Sequence, residues 1–279
     1  MIPQRALSLI SNSHESSGGI RIPESVIERD YCLAWFLTGL ADHSLRETLA
    51  FKGGTALRRC WFTDYRFSED LDFTMTSPMS FTAIRSGLDE IFTAIEASCG
   101  LRMVFDHEDR HNHQNSHTFY LSYQGPLPSA GDVKVDITIN EVLSFPLVER
   151  PVLRTYESFA DLPDGKTIRV YALEEIIVEK LVALTDRART EPRDLYDLGH
   201  LLDNTGINLA DLQFALETKL AFRDRNLAGI EAMFAGKEQR LSKLWGTRLS
   251  HQMSNLPPFE YVFRQIQRAI RNAKFPDQE

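Results

Sequence analysis

Two periodicities divide the chain. The sharpest is a period-two run over residues 132–139. Val133, Val135, Ile137 and Ile139 fall on one side, and Asp132, Lys134, Asp136 and Thr138 on the other, the pattern of a half-buried strand. Asp70-Leu71-Asp72-Phe73 alternates acid with apolar residue and reads as a second strand. Leu49-Ala50-Phe51 is a short apolar run suited to a buried strand, and residues 101–106, 117–123 and 167–171 add further strands. Helical periodicity marks residues 24–39, which follow Pro23 and carry Val26, Ile27, Tyr31, Leu33, Phe36 and Leu37 as an apolar stripe. It returns over residues 81–97, with Ser80 as N-cap and Gly100 as stop signal. Residues 56–62 form a shorter amphipathic run after Gly53-Gly54-Thr55. Residues 1–20 read as a leading helix with a Ser/Gly-rich loop from Ser11 to Gly19, and residues 146–151 as a loop.

The second part of the chain is helical. Leu173, Ile176, Ile177, Leu181 and Leu184 make the stripe of a helix over 173–184, and Pro192 opens another. Residues 209–220, 226–235, 237–245 and 259–273 complete the series. The expected fold is therefore α+β. A mixed sheet of about four to six strands flanked by helices occupies residues 1–170, and a helical region occupies 171–279. The boundary is soft, over residues 165–172.

Residues 49–75 bring chemistry into this frame. Successive strand side chains alternate faces, so Asp70 and Asp72 share a side while Leu71 and Phe73 anchor the strand in the core. Paired carboxylates suit Mg²⁺, which binds one or two acids and takes substrate phosphate as further ligand. Gly53 and Gly54 remove Cβ atoms where a phosphate must reach backbone N–H groups, and Thr55 adds a hydroxyl. Each half alone is ordinary, since most Gly-Gly pairs are turns and most Asp-x-Asp strands are solvated faces. In sequence order, separated by one helix and one loop, they reinforce each other. Asp136 joins as a third acid if its strand lies beside Asp70 and Asp72.

Gly-Gly-Thr, a helix and Asp-x-Asp on a strand resemble the DNA polymerase β-like nucleotidyltransferases. KGGTAL followed by RFSEDLDF is similar, more narrowly, to the AbiEii/AbiGii abortive-infection toxins and their MenT-type relatives, over about residues 20–205. The fourteen residues between Thr55 and Asp70 make a slightly longer spacing than polymerase β-like folds usually have. The later string EKLVALTDRARTEPRDLYDL also resembles the toxin family. The resemblance implies an NTP-dependent transferase of a toxin–antitoxin or phage-defence pair. Asp70, Asp72 and Asp136 would hold Mg²⁺ or Mn²⁺, with Asp136 also helping the attacking hydroxyl. Gly53, Gly54 and Thr55 would cradle phosphates, Lys180 would neutralise them as a point charge, and Asp194 would position Lys180 or the nucleotide, with Asp197 a lesser candidate. The helical region 171–279 would thereby complete the active site. The implied partners are an NTP, an acceptor at the tRNA 3′ end and a cognate antitoxin. Two other classes share these residues: a protein NMP-transferase, and a nucleotide-binding module without turnover.

Composition narrows the rest. Hydrophobic residues are 43% and charged residues 25%, an ordinary globular balance. No apolar run reaches membrane-spanning length and the N-terminus lacks a secretory pattern, so a cytoplasmic, membrane-free protein is expected. Cys32, Cys60 and Cys99 are scattered and read as reduced thiols. The net charge of −8 restricts any nucleic-acid contact to a local basic patch; Arg187, Arg189 and Arg193 form one cluster, and Arg264, Arg268, Arg271 and Lys274 line the last helix. His107, His111, His113 and His117 crowd one connector, open to metal or nucleic-acid contact but without the spacing of a helical zinc motif. P-loop, dinucleotide-binding and nucleophile-elbow glycine patterns are absent.

Overall fold

The computed structural model describes residues 1–16, 19–110 and 114–275. The chain divides into two compact units. The first comprises Met1–Glu141, Leu147–Tyr171 and Gln252–Ser254; the second comprises Val142–Pro146, Ala172–His251 and Asn255–Glu279.

The first unit opens with α1 (Gln4–Ser16) and α2 (Glu24–Ala41). Strand β1 (Leu49–Lys52) runs directly into a short helix α3 (Gly53–Ala56), which widens to a π-helical turn over Leu57–Trp61. Then follow β2 (Leu71–Met75), α4 (Phe81–Cys99), β3 (Arg102–Glu108), β4 (Ser116–Gln124), β5 (Gly131–Thr138), β6 (Val148–Pro151) and β7 (Thr167–Val170). Among the described residues the strands form one seven-stranded sheet, ordered β3-β4-β5-β2-β1-β7-β6. It is mixed: β2 runs parallel to β5 and β1 parallel to β7, while the other neighbours are antiparallel.

The alternation in the sequence explains which side of the central strands is buried. Leu71, Phe73, Val133, Val135 and Ile137 are nearly sealed from solvent. Phe73 meets Phe51 and Phe36 with ring centroids 5.1 and 6.4 Å apart, which ties β2 to β1 and α2. Helix α2 packs tightly on α4: a Cβ on Gly39 would come within 2.9 Å of Ile91. Ser80 caps α4 through the Ala83 N–H, and Gly100 ends it in the left-handed region.

The sheet has one strand more than the upper expectation. β6 lies in the stretch read as a loop, because VERP is too short and half-exposed to show a period. It is an edge strand, and Pro151 stands at its end, where a missing N–H costs least. Helix α1 also runs on through Ser11 to Ser16, where a loop is expected; Ser11 Oγ donates to Ile22 O and is fully buried. The remainder of that loop includes residues 17–18, outside the described residues.

The second unit is helical: α5 (Leu173–Leu184), α6 (Pro192–Thr205), a 3-10 turn over Leu209–Leu212, α7 (Gln213–Ala221), α8 (Ile230–Ala235), α9 (Glu238–Leu249) and α10 (Phe259–Ala273). α6 begins on Pro192 and ends at Gly206 in the left-handed region. α8 starts four residues later than its periodicity suggests, because Gly229 takes a positive φ at its N-cap. No helix among the described residues is long and apolar enough to cross a membrane.

Candidate active site

The β1–α3 turn is built against Asp72 of β2 and Asp70 just before that strand. Lys52 pairs with Asp72 across the antiparallel β1–β2 ladder, and Gly53 follows at φ 80°. A Cβ at Gly53 would lie 2.5 Å from Asp72 Oδ2, so only glycine lets the backbone sit against this carboxylate. Thr55 donates its hydroxyl to the Asp70 carbonyl, which fastens the turn to the residue just before β2. A Cβ at Gly54 would run into Arg66 Nη2 and approach Ser68 Oγ to 3.2 Å. The two glycines thus make room for different neighbours: an acid for Gly53, and a guanidinium and a hydroxyl for Gly54.

The third acid stands on the next strand. Asp72 and Asp136 are partners in the parallel β2–β5 ladder, and Thr118 is the antiparallel partner of Asp136 from β4. Thr118 donates to Asp136 Oδ1, and Lys134 Nζ lies 2.6 Å from Asp136 Oδ2. Lys52 Nζ reaches Thr138 Oγ1 at 3.1 Å and stands 5.6 Å from the Tyr171 ring centre. Burial works to lower the Lys134 ammonium. Its hydrogen bond and charge pairing with Asp136 prevail, Asp70 adds to them, and the group is held above the usual lysine range. Acids from β2 and β5 and lysines from β1 and β5 thereby share one polar patch of the sheet.

The connector leading to Asp70 is held by buried charge. Asp30 of α2 receives Arg58 Nε at 2.7 Å and Nη2 at 2.8 Å, and Arg59 Nη1 at 3.1 Å. Arg58 also donates to the Tyr65 carbonyl, and its guanidinium lies 3.7 Å from the Phe67 ring centre. Arg66 Nη1 donates to Phe67 O and to Gln252 Oε1, each at 3.1 Å. Burial by itself raises a carboxyl, but the two guanidiniums outweigh it and hold Asp30 below the ordinary carboxylate range. Lys52, Arg66 and Ser68 lie within the strings KGGTAL and RFSEDLDF without a role of their own in the sequence reading, and Lys134, Asp30 and Arg58 have none either. Lys134 carried a visible signal, since it shares the polar side of the alternating strand with Asp136. Asp30 carried none, being one of three acids in a largely apolar helix with no spacing that sets it apart.

The later residues form their own cluster in the second unit. Lys180 Nζ lies 2.8 Å from Asp194 Oδ1 and 2.6 Å from Asp197 Oδ2, and Arg189 Nε lies 2.6 Å from Asp194 Oδ2. Both acids are sealed from solvent, while Lys180 keeps 12% of its side-chain exposure. Burial raises the Asp194 carboxyl, but Lys180 and Arg189 outweigh it, so Asp194 stays below the usual range. Asp197, given a lesser place by sequence, holds Lys180 as closely as Asp194 does.

The carboxylates at the start of β2 and just before it suit a hard divalent cation, which takes one or two carboxylates and completes its shell with waters and phosphate oxygens. Asp70 and Asp72 supply two such carboxylates. Among the described residues, however, no group of three or more His, Cys, Asp or Glu is gathered closely enough to hold an ion, and both oxygens of Asp136 are engaged by Thr118 and Lys134. The His-rich connector shows no metal set in its described part. His107 stacks on Tyr120 and His117 packs on Phe81, each at 4.7 Å, while His111 and His113 lie outside the described residues. The three cysteines are free, and burial pushes the Cys60 thiol up to about 12.

No similar sequence was found among curated proteins. Among solved structures the chain is similar in fold to MenT4, a nucleotidyltransferase toxin from Mycobacterium tuberculosis H37Rv. The two share 18% sequence identity with a TM-score of 0.58, and the match covers 91% of this chain and 85% of that one. The family described as "Nucleotidyl transferase AbiEii toxin, Type IV TA system" matches residues 35–270, a span that takes in the glycine turn, all three acids, Lys180 and Asp194. The chain belongs to the AbiEii family of nucleotidyltransferase toxins.

Proposed function

We propose that this transferase moves an NMP group from an NTP to a hydroxyl at the 3′ end of tRNA, with the chemistry centred on Asp70, Asp72 and Asp136. The observation that carries this reading is the registration of Asp72 beside Asp136 with the Gly53 backbone pressed against the Asp72 carboxylate. That arrangement puts an anionic pair next to a turn able to approach a phosphate.

In the reaction, the acceptor oxygen bonds to the α-phosphorus, the bond from that phosphorus to the bridging oxygen breaks, and pyrophosphate leaves. Asp136, oriented by Thr118 and Lys134, takes the hydroxyl proton. The backbone of Gly53, Gly54 and Thr55 cradles the β- and γ-phosphates, while the Thr55 hydroxyl holds the turn to the Asp70 carbonyl. Lys180 neutralises the same phosphates, and Asp194 with Asp197 fixes its ammonium. Asp70 and Asp72 are the residues that would hold Mg²⁺ or Mn²⁺, which when bound supplies charge neutralisation and orients the reacting oxygens. Support for joining Lys180 to the acids is that one family match spans them all. A cognate antitoxin is the expected protein partner, since the family belongs to toxin–antitoxin systems.

The test is incubation with each α-labelled NTP, Mg²⁺, unfractionated tRNA and a cell extract as protein source. Label in RNase-sensitive material that chases to the 3′ terminus is expected. Label in protease-sensitive material would replace tRNA by a protein acceptor, and no label in either would remove the proposed activity.

A further inference from the structure

The outer face of α10 has no part in that chemistry. Its inner face is fixed in the second unit by Phe259, Val262, Phe263, Ile266 and Ile270, with Phe263 stacked on Phe234 at 4.6 Å. The opposite face presents Tyr261, 59% exposed, then Arg264, Arg268, Arg271 and Lys274, all exposed. Arg271 meets Glu231 at 3.1 Å yet keeps 65% of its side-chain exposure. Among the described residues no ion pair engages Arg264, Arg268 or Lys274, and Glu260 is the one acid on the helix. Beside this face is a cleft of about 290 Å³ whose lining includes Ile207, Asn208, Gln265, Arg268 and Asn272.

We infer that this face of α10 is a binding surface for the phosphate backbone of RNA. Positions 261, 264, 268 and 271 follow one another at three- and four-residue steps, so their side chains form a single stripe. From 264 to 271 the stripe runs about 10 Å, the axial length of about three nucleotides of a strand, and Lys274 adds a cation at the helix C-cap. Three of its four cations are arginines, whose planar forks match phosphate oxygens in a way an ammonium does not. Tyr261, one turn ahead of Arg264, offers an exposed ring on which a base can stack. The cleft adds Asn and Gln amides beside apolar Ile207, which suits a base or ribose edge better than the carboxylates of an acidic polypeptide. The stripe also runs against the −8 charge of the whole chain, so its attraction for a polyanion is local to this helix. The inference rests on the proposed RNA acceptor and adds the surface that would hold that acceptor.

The experiment measures retention of labelled unfractionated tRNA by the full chain between about 50 and about 200 mM salt. It compares wild type with the triple variant Arg264→Ala/Arg268→Ala/Arg271→Ala and with the control Arg240→Ala/Lys243→Ala on α9. Thermal melting confirms that each variant is folded. The triple variant is expected to bind about tenfold or more weakly at the lower salt, with a salt slope shallower by about two to three, while the control changes little. Unchanged affinity and slope in the triple variant, an equal loss in the control, or tighter binding of poly-glutamate than of tRNA by wild type would each overturn the inference. Label transfer is read in parallel. Wild type that binds tRNA through α10 but never labels it would sink the acceptor assignment and leave this surface standing. Labelling of tRNA with the same KM by both proteins would do the reverse.

Discussion

At the scale of single residues, the tightest constraint lies where the Gly53 backbone meets the Asp72 carboxylate. Gly53 combines a positive φ with a carboxylate where its Cβ would be. Gly53→Ala is therefore expected to cost about 1–3 kcal/mol in stability and to lower transfer more than nucleotide binding. Unchanged melting and turnover would show that the turn is not constrained as described. The Asp194 carboxyl gives a prediction in pH. Its folded value is depressed by Lys180 and Arg189, so its contribution is complete above the unfolded value of about 3.9 and is lost as pH falls through the lower folded value. The stability gap between wild type and Asp194→Asn should thus be full at neutral pH and close only below about pH 4; a gap that closes near neutrality would contradict the ion pairing. Sequence made Gly53, Asp70, Asp72 and Asp136 legible because glycine freedom and strand alternation leave local marks. It could not show that Lys134 closes on Asp136 at 2.6 Å, because strand alternation places both on one side without fixing their side-chain contact.

At the scale of elements, two departures from the sequence pattern have separate causes. The stretch from 56 to 62 was expected to be an ordinary helix, but it relaxes into a π-helical turn over Leu57–Trp61. That wider turn sends both Arg58 and Arg59 to Asp30, which neighbouring positions on a regular α-helix do not ordinarily share. The arrangement anchors the connector carrying Arg66, Ser68 and Asp70 to α2. Asp30→Ala should destabilise the chain by about 3–5 kcal/mol, since it strands two buried guanidiniums. A loss below about 1 kcal/mol, measured by denaturant titration, would mean the cluster relaxes readily. β6 escaped notice for a different reason: an edge strand of four half-exposed residues has no periodic signature, and only its pairing with β7 defines it. Long amphipathic elements such as α5 and α10 have the bounds their periodicities announce.

At the scale of the whole molecule, the fold is a mixed sheet with an all-helical second unit, and the family match extends across both. Sequence could name Lys180 and Asp194 only through likeness to a family; that two buried acids share the lysine is a fact of tertiary structure. The account requires the carboxylates of Asp72 on β2 and Asp136 on β5 to act in the chemical step rather than in folding. The most direct measurement is pyrophosphate release from NTP with Mg²⁺ and tRNA by wild type, Asp72→Asn and Asp136→Asn, each checked by melting. The account predicts a fall of at least about a hundredfold in kcat for both variants with melting nearly unchanged. Folded variants that turn over at the wild-type rate would contradict it.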